Sequence, residues 1–387
     1  MRRILSIIFA FFIILTLLSG CTGREGSVKT TETPVVHDTT KGVVEAETGT
    51  EGVRLNIVCS VFPQYDWVRE ILGQNAGNMD LTLLISNTID LHSFQPSVSD
   101  IATISTADLF IYVGGISDDW VEAVLRQAIN TDMVVINLLD VLGDDVKFEE
   151  IIEGMLHDHD DDVHDDHDGH DGHDDHDDHD DHDEHDDHDV HDDHDVHDGY
   201  DDHDDHDDHD VDEHVWLSLR NVVIFTHVIT NALSELDPVN ADVYAANLAL
   251  YVEKLMALDD EYSTVTEYLS NRTLLFADRF PFRYLIDDYD LNYYAAFTGC
   301  SAETEASFAT VIFLAEKIDE LGLNTVMITE SGNSALAETV INTSSAGDVQ
   351  ILVLDSMQSV TAADIADDVT YLSIMSSNLA VLVEALG

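Results

Sequence analysis

Hydrophobic positions along the chain alternate between two kinds of run. Short β-rich stretches at 55–60, 81–85, 109–113 and 134–137 are followed by stretches that read as helices, at 64–72, 98–105, 120–129 and, more weakly, 148–155. Such alternation argues for a parallel sheet with covering helices. Residues 218–236 read as a further helix, and Asp237-Pro238 then marks a break and a helix start. From there to residue 269 there is no Pro or Gly, and Leu248, Tyr251, Val252, Leu255, Leu258 and Tyr262 recur at helical spacing. At 1.5 Å per residue such a helix runs about 45 Å, enough to bridge two lobes. The second half repeats the alternation, with strands at 273–276, 291–295, 325–329 and 351–354, helices at 282–288, 304–321 and 334–341, and a closing helix at 360–386. The expected fold class is α/β. Two lobes, each with a mainly parallel sheet and covering helices, occupy 53–237 and 272–387 and are joined by one long rigid linker helix at 238–271. A ligand would sit between the lobes, near the C-terminal ends of the strands.

Ahead of that fold the pattern changes. Arg2 and Arg3 precede an apolar run at 4–18, which ends in Leu18-Ser19-Gly20-Cys21. A charged start, an apolar core and a small-residue cleavage site make residues 1–20 a secretory signal, too short for a comfortable membrane span. The ending resembles the lipobox of bacterial lipoproteins, which implies cleavage before Cys21 and a lipid on its sulfur. Residues 21–52 then read as the lipidated cysteine and a flexible tether. The chain is expected outside the cytoplasm, on the outer face of a bacterial plasma membrane or in a periplasm, touching membrane only through its lipid. Cys59 and Cys300 remain, and two thiols do not make a disulfide framework. Cys59 lies in an apolar run and is expected in the core; the role of Cys300, after Gly299, is open.

Composition changes the picture at one place. The chain has 387 residues, 44% hydrophobic, and a formal charge of −64. Residues 157–210 hold 29 Asp, one Glu and no Lys or Arg. The remaining −34 still describes a strongly acidic body, which nucleic acid and anionic membrane would repel and a cation would suit. Within this tract histidine recurs at every third position: His164, His167, His170, His173, His176, His179, His182, His185, His188, His191, His194 and His197, then, after Tyr200 takes one slot, His203, His206 and His209. So little apolar surface and so much self-repulsion predict disorder without a ligand. In an extended three-residue helix the imidazoles would share one side. Imidazole suits zinc, copper and nickel. Protons compete for the same nitrogens, so binding should weaken below about pH 6. A merely solvated acidic spacer would explain the aspartates but not the histidine period; calcium on the aspartates is a weaker option.

Four histidines lie outside the tract: His37, His92, His214 and His227. His37 is in the tether, and His227 sits in an apolar helix. His92 and His214 stand at breaks between elements, where ligands are usually mounted. His92 lies in Asp90-Leu91-His92-Ser93-Phe94-Gln95-Pro96-Ser97, and His214 in Asp212-Glu213-His214-Val215-Trp216-Leu217. From about residue 55 to the C-terminus the chain resembles the metal-binding components of bacterial zinc and manganese ABC importers, most closely the zinc-uptake members, and its tract lies where those carry an acidic histidine-rich loop. The resemblance implies a two-lobed fold with a rigid linking helix and a four-coordinate site. His92 and His214 match the first two ligands, and Asp355, in Leu354-Asp355-Ser356, matches the fourth.

The third position departs from the family. Alignment places Ala277 in the ligand slot, in Phe276-Ala277-Asp278-Arg279. Asp278 is the expected substitute; Glu330, a histidine of the tract and water are others, and the competing reading of Asp278 pairs it with Arg279 or has it cap a helix. Glu303 and Glu305 are expected to cap a helix. Asp90 or Glu213 would hold the second ring nitrogens. Two imidazoles and carboxylates suit tetrahedral zinc. The tract favours Zn2+ over Mn2+, which lies at the weak end of the divalent series. The expected function is capture of zinc outside the membrane and its delivery to a separate ABC permease and its ATPase by a monomeric carrier. Alternatives are a manganese-specific member, a zinc-buffering lipoprotein without a transporter, and an adhesin-like surface role in cell adhesion. No His-Glu-x-x-His or Gly-x-Ser-x-Gly supports an enzyme.

Overall fold

The computed structural model describes residues 54–86, 89–155, 211–269, 271–301 and 305–387. The signal, the tether with Cys21, the histidine–aspartate tract and Glu303 lie outside the described residues.

The first lobe alternates β1 (Asn56–Cys59), α1 (Phe62–Leu72), β2 (Asp80–Leu83), α2 (Val98–Ser105), β3 (Leu109–Tyr112), α3 (Trp120–Leu125), β4 (Val134–Asn137) and α4 (Leu138–Leu142). The strands are all parallel, in the order β2-β1-β3-β4. α2 starts where Ser97 and Asp100 exchange side-chain-to-backbone hydrogen bonds, satisfying two amides that a helix start leaves orphaned. Two expectations fail here. Residues 148–155 form no helix; Phe148 pairs instead with Val211 in an antiparallel bridge, so described segments before and after the tract are joined. α4 was not expected, and it starts directly on the end of β4 because Asn137 Oδ1 accepts from the amides of Leu139 and Asp140.

α5 (Leu219–Leu236) and α6 (Ala241–Tyr268) follow. α6 begins after Asn240 rather than at Pro238; Asp237 Oδ2 accepts from Asn240 Nδ2 and the Tyr244 hydroxyl, each at 2.7 Å, and fixes the turn. Its 28 residues span about 42 Å. Tyr244, Leu248, Tyr251, Leu255, Leu258 and Tyr262 form one buried stripe. Near its start Asn247 donates to the Ile71 carbonyl of α1 at 2.9 Å. Near its end the Tyr262 hydroxyl donates to the Met375 carbonyl at 2.6 Å and its ring stacks on Tyr289. The helix is thus fastened to both lobes.

The second lobe runs β5 (Thr273–Phe280), α7 (Arg283–Asp288), β6 (Asn292–Thr298), α8 (Phe308–Leu321), β7 (Thr325–Thr329), α9 (Ser334–Thr343), β8 (Gln350–Leu354), α10 (Ala362–Ala366) and α11 (Tyr371–Leu386). Its strands are parallel in the order β6-β5-β7-β8, the same pattern as the first sheet. The single closing helix expected at 360–386 is two, α10 and α11. The chain reverses at Asp368, whose φ is +61°, and Thr370 caps the second helix. β5 is longer than expected, and its pairing with β6 shifts register between Phe276 and Arg279, the segment of the expected third ligand. Among the described residues no helix is long and apolar enough to cross a membrane.

One apolar core runs through both lobes. Trp67 of α1, fully buried, stacks on Phe225 of α5 and meets the edge of Tyr371 of α11. Asp66 Oδ2 accepts from the Tyr371 amide at 2.8 Å, the Tyr371 hydroxyl donates to the Trp216 carbonyl at 2.7 Å, and Trp216 Nε1 donates to the Ser356 carbonyl at 2.9 Å. Truncating Trp67 to alanine is expected to cost about 3–5 kcal/mol. In each sheet the chain turns from one side to the other beside its second strand in order, β1 or β5, which leaves a crevice at the strands' C-terminal ends.

Candidate metal centre

Both motif histidines reach that crevice. His92 stands in a single-turn 3-10 helix, Leu91–Ser93, beyond the C-terminal end of β2. Asp90 Oδ1 accepts from the His92 amide at 3.0 Å, and Asp90 Oδ2 pairs with Arg279 of β5 at 2.7 Å, so Asp90 holds the turn rather than the ring. The ring is held by Glu213 and Ser117: His92 Nδ1 is 3.3 Å from Glu213 Oε2 and 2.8 Å from Ser117 Oγ. Glu213 Oε1 accepts from the Ser117 amide at 2.9 Å. Ser117 reaches that position through Gly115, whose φ is +81° and where a Cβ would collide with Glu213 Oε1.

His214, fully buried, precedes another 3-10 turn, Val215–Leu217. Asp212 Oδ1 accepts from its amide at 2.8 Å and faces its Nδ1 at 3.0 Å. Gly299 lies against its ring; a Cβ there would approach the Phe280 carbonyl at 2.9 Å and His214 Cε1 at 3.1 Å, closer than packed backbone allows.

These contacts turn both Nε2 atoms toward the crevice. His214 Nδ1 faces the acceptor-only carboxylate of Asp212, which favours a proton on Nδ1 and leaves Nε2 free for a metal, while His92 Nδ1 sits nearest the Ser117 hydroxyl with Glu213 behind it. The two Nε2 atoms face one another at 3.3 Å. At that separation the two nitrogens can share a proton or flank a metal cation. Two nitrogens at 2.0–2.1 Å from one tetrahedral zinc ion are themselves about 3.3–3.4 Å apart.

A third donor completes the group. The ligating atoms of His92, His214 and Cys300 all lie within 4.8 Å of one another, the one such set of three or more His, Cys, Asp or Glu among the described residues. Cys300 follows β6 and Gly299, and its amide donates to Glu149 Oε1 at 2.6 Å. Sequence reading left Cys300 open and missed Asp212 and Ser117 as ring-holding partners. What marks Cys300 is strand order, which sequence does not give: β6 has in the second sheet the edge place that β2 has in the first, and the donors follow these two strands.

The expected oxygen donors are placed elsewhere. Ala277 is buried in the second lobe's own core cluster. Asp278 is not brought to the imidazole pair: its Oδ2 accepts from the Thr329 amide and hydroxyl, both at 2.8 Å, and its Oδ1 from the Arg279 amide. Glu330 accepts from the amides of Ser356 and Gln358 and from the Ser356 hydroxyl. Asp355 is not in the donor set either. Its Oδ1 accepts from the Met357 amide at 2.7 Å, and it lines a cleft with Glu330, Val360, Asp364 and Ser373. Glu305 caps nothing, since α8 starts later, at Phe308, with Ser307 as its cap. His227 is exposed on α5.

Charge around the pair is negative and unevenly shielded. Burial pushes His214 toward its neutral form, but Asp212, Glu149 and Glu213 outweigh it and hold the pKa above the ordinary value. Burial raises Glu213, yet hydrogen bonds from His92 and Ser117 bring it below the usual range. Burial drives the Cys300 thiol far upward, and Glu149 adds to this as a charge and as the thiol's acceptor.

Comparison with known proteins places this geometry. Residues 57–385 match the family described as zinc-uptake complex component A, periplasmic. The chain belongs to this family. Its members are solute-binding components of uptake systems, not enzymes. The chain is 26% identical over 331 residues to the zinc-binding lipoprotein AdcA of Streptococcus pneumoniae, a match covering 85% of this chain and 55% of that protein. The chain thus spans about half the length of that relative. It is 25% identical over 350 residues to the high-affinity zinc uptake system protein ZnuA of Bacillus subtilis, covering 90% of this chain and 92% of that one. The fold is similar to the crystal structure of the Zn(II)-bound ZnuA-like domain of S. pneumoniae AdcA, with a TM-score of 0.59 and 23% identity, over 86% of this chain and 99% of that one. The two-lobed family fold expected from the sequence is the one observed.

Proposed function

We propose that this protein captures zinc outside the cytoplasmic membrane, at His92 and His214, and delivers it to an ABC-type permease and its ATPase for import. The observation that carries this reading is the facing pair of Nε2 atoms at 3.3 Å, each ring locked from behind by a buried carboxylate. That separation matches the edge of a zinc tetrahedron. The names of the relatives point the same way, and so does the histidine–aspartate tract, which offers little to manganese. Lipidation at Cys21 after removal of residues 1–20 would hold the carrier at the membrane; the Leu-Ser-Gly-Cys sequence supports it. The tract, residues 157–210, then raises the local metal concentration, and salt screens that effect.

The test is a competition titration on protein lacking residues 157–210, with zinc uptake measured in cells carrying the same deletion. One tight zinc site and near-normal uptake at moderate zinc are expected. Tighter binding of manganese than of zinc would overturn the metal assignment, and loss of all tight binding would make the protein a zinc buffer instead.

A further inference from the structure

We propose that Cys300 is the third metal ligand, so that the capture site is a His2Cys site whose thiolate selects zinc against manganese. The inference rests on the zinc-capture reading and names a ligand that reading lacks. Its basis is placement. The thiol sulfur shares a 4.8 Å neighbourhood with the two imidazole donors, one of them fully buried. Among the described residues no carboxylate joins that set: Asp278 and Glu330 spend their oxygens on backbone amides and hydroxyls, and Asp355 Oδ1 accepts from the Met357 amide. Among the described residues Cys300 has no disulfide partner: it and Cys59, buried in β1, are both free thiols.

The repeated topology gives an independent reason. Both sheets run edge–centre–centre–edge in the same order, and β2 and β6 are equivalent edge strands. His92 follows the first and Cys300 the second, so equivalent places in the two lobes each offer one ligand, and His214 supplies the third from the segment entering α5. Gly299 lets the second lobe approach the His214 ring closely enough for its neighbour to reach the ion.

Loading is a simple exchange. The zinc–sulfur bond forms as the S–H bond breaks. The proton goes to the Glu149 carboxylate, which accepts from the Cys300 amide and thiol, and then to solvent. Two neutral imidazoles and one thiolate leave one positive charge on the ion, and the carboxylates of Asp212 and Glu213 behind the rings offset it. Thiolate is a soft donor with affinity for zinc and little for manganese, unlike an all-oxygen completion of the site.

The experiment uses the full chain, because the tract contains no sulfur and cannot imitate the signal. Cobalt added to wild type should give thiolate-to-cobalt charge-transfer absorption, which Cys300→Ser abolishes. X-ray absorption of the zinc-loaded wild type should find sulfur at about 2.3 Å. Cys300→Ser should weaken zinc by more than about 10-fold and manganese far less, narrowing the preference. Added zinc should protect Cys300 of the wild type from iodoacetamide, a measurement that needs no variant to fold. Zinc bound at His92 and His214 with only nitrogen and oxygen neighbours overturns the role of Cys300 and leaves zinc capture standing. A wild type whose zinc binding is indifferent to His92→Ala overturns the capture reading itself.

Discussion

The two sides of the metal crevice are built differently. On the side of the first lobe and the segment entering α5, carboxylates stand behind the donors. Asp212 and Glu213 are nearly fully buried, each turned to one Nδ1, and they prepare two imidazoles for an ion. On the side of the second lobe, carboxylates hold the backbone: Asp278 and Glu330 with both oxygens and Asp355 with Oδ1 tie down the loops after β7 and β8 and the bulge of β5. Carboxylates thus serve orientation on one side and architecture on the other. Counting acidic residues near a crevice does not find ligands; asking where each oxygen's hydrogen bonds go does.

The largest expected effect tests the first side directly. His214→Ala should weaken zinc by well over the roughly 100-fold that loss of a ring-holding partner can cost. Calorimetric titration of zinc reads this. An unchanged affinity would move the site elsewhere and dissolve the comparison.

The next effect separates orientation from coordination. Asp212→Asn and Glu213→Gln, which keep shape but lose charge, should each weaken zinc by about 10–100-fold. Glu330→Gln in the second lobe should leave zinc affinity unchanged, although it too alters a carboxylate near the crevice. Equal losses from both sides would show that net charge, not ring orientation, governs binding.

Asp278→Ala sharpens the contrast further. Three hydrogen bonds to Thr329 and Arg279 disappear, leaving the Thr329 amide without its partner. The expected result is a loss of about 1–3 kcal/mol in stability, measured by denaturant unfolding, with zinc affinity little changed. A loss of affinity as large as that of His214→Ala would restore Asp278 as a ligand.

How much of this was legible in the sequence follows the same division. The strands, the long helix and both histidine motifs declare themselves by periodicity and local spacing. The buried stripe of α6 could be read residue by residue from Leu248 to Tyr262. The helix expected at 148–155 could not be corrected from sequence, because the Phe148–Val211 bridge joins residues across the whole tract. Likewise, Asp278 looked like a ligand because its neighbours in sequence do not include Thr329, which takes up its oxygens. Cys300 was missed for a topological reason: the equivalence of β2 and β6 exists only once strand order is known.

The smallest effect compares the two sides through protons in the metal-free protein. On the first side, burial and the charge of Glu213 push Asp118 up to about 6; its Oδ2 accepts from the amides of Val113 and Gly114. On the second, burial and Glu330 push Asp355 up to about 7. Both carboxyls are raised above the ordinary value, so the native state holds protons that the unfolded chain has already released. Stability should therefore fall as pH rises from the unfolded pKa of about 4 through the folded value, and level off above it. Each group contributes at most about 1.4 kcal/mol per pH unit inside its window. Asp118→Asn should flatten the profile only up to about pH 6, whereas Asp355→Asn should flatten it up to about pH 7. Urea unfolding at half-unit pH steps measures both. If the two variants flatten the same window, the sides are electrostatically alike, and what distinguishes them is only which residues their carboxylates hold.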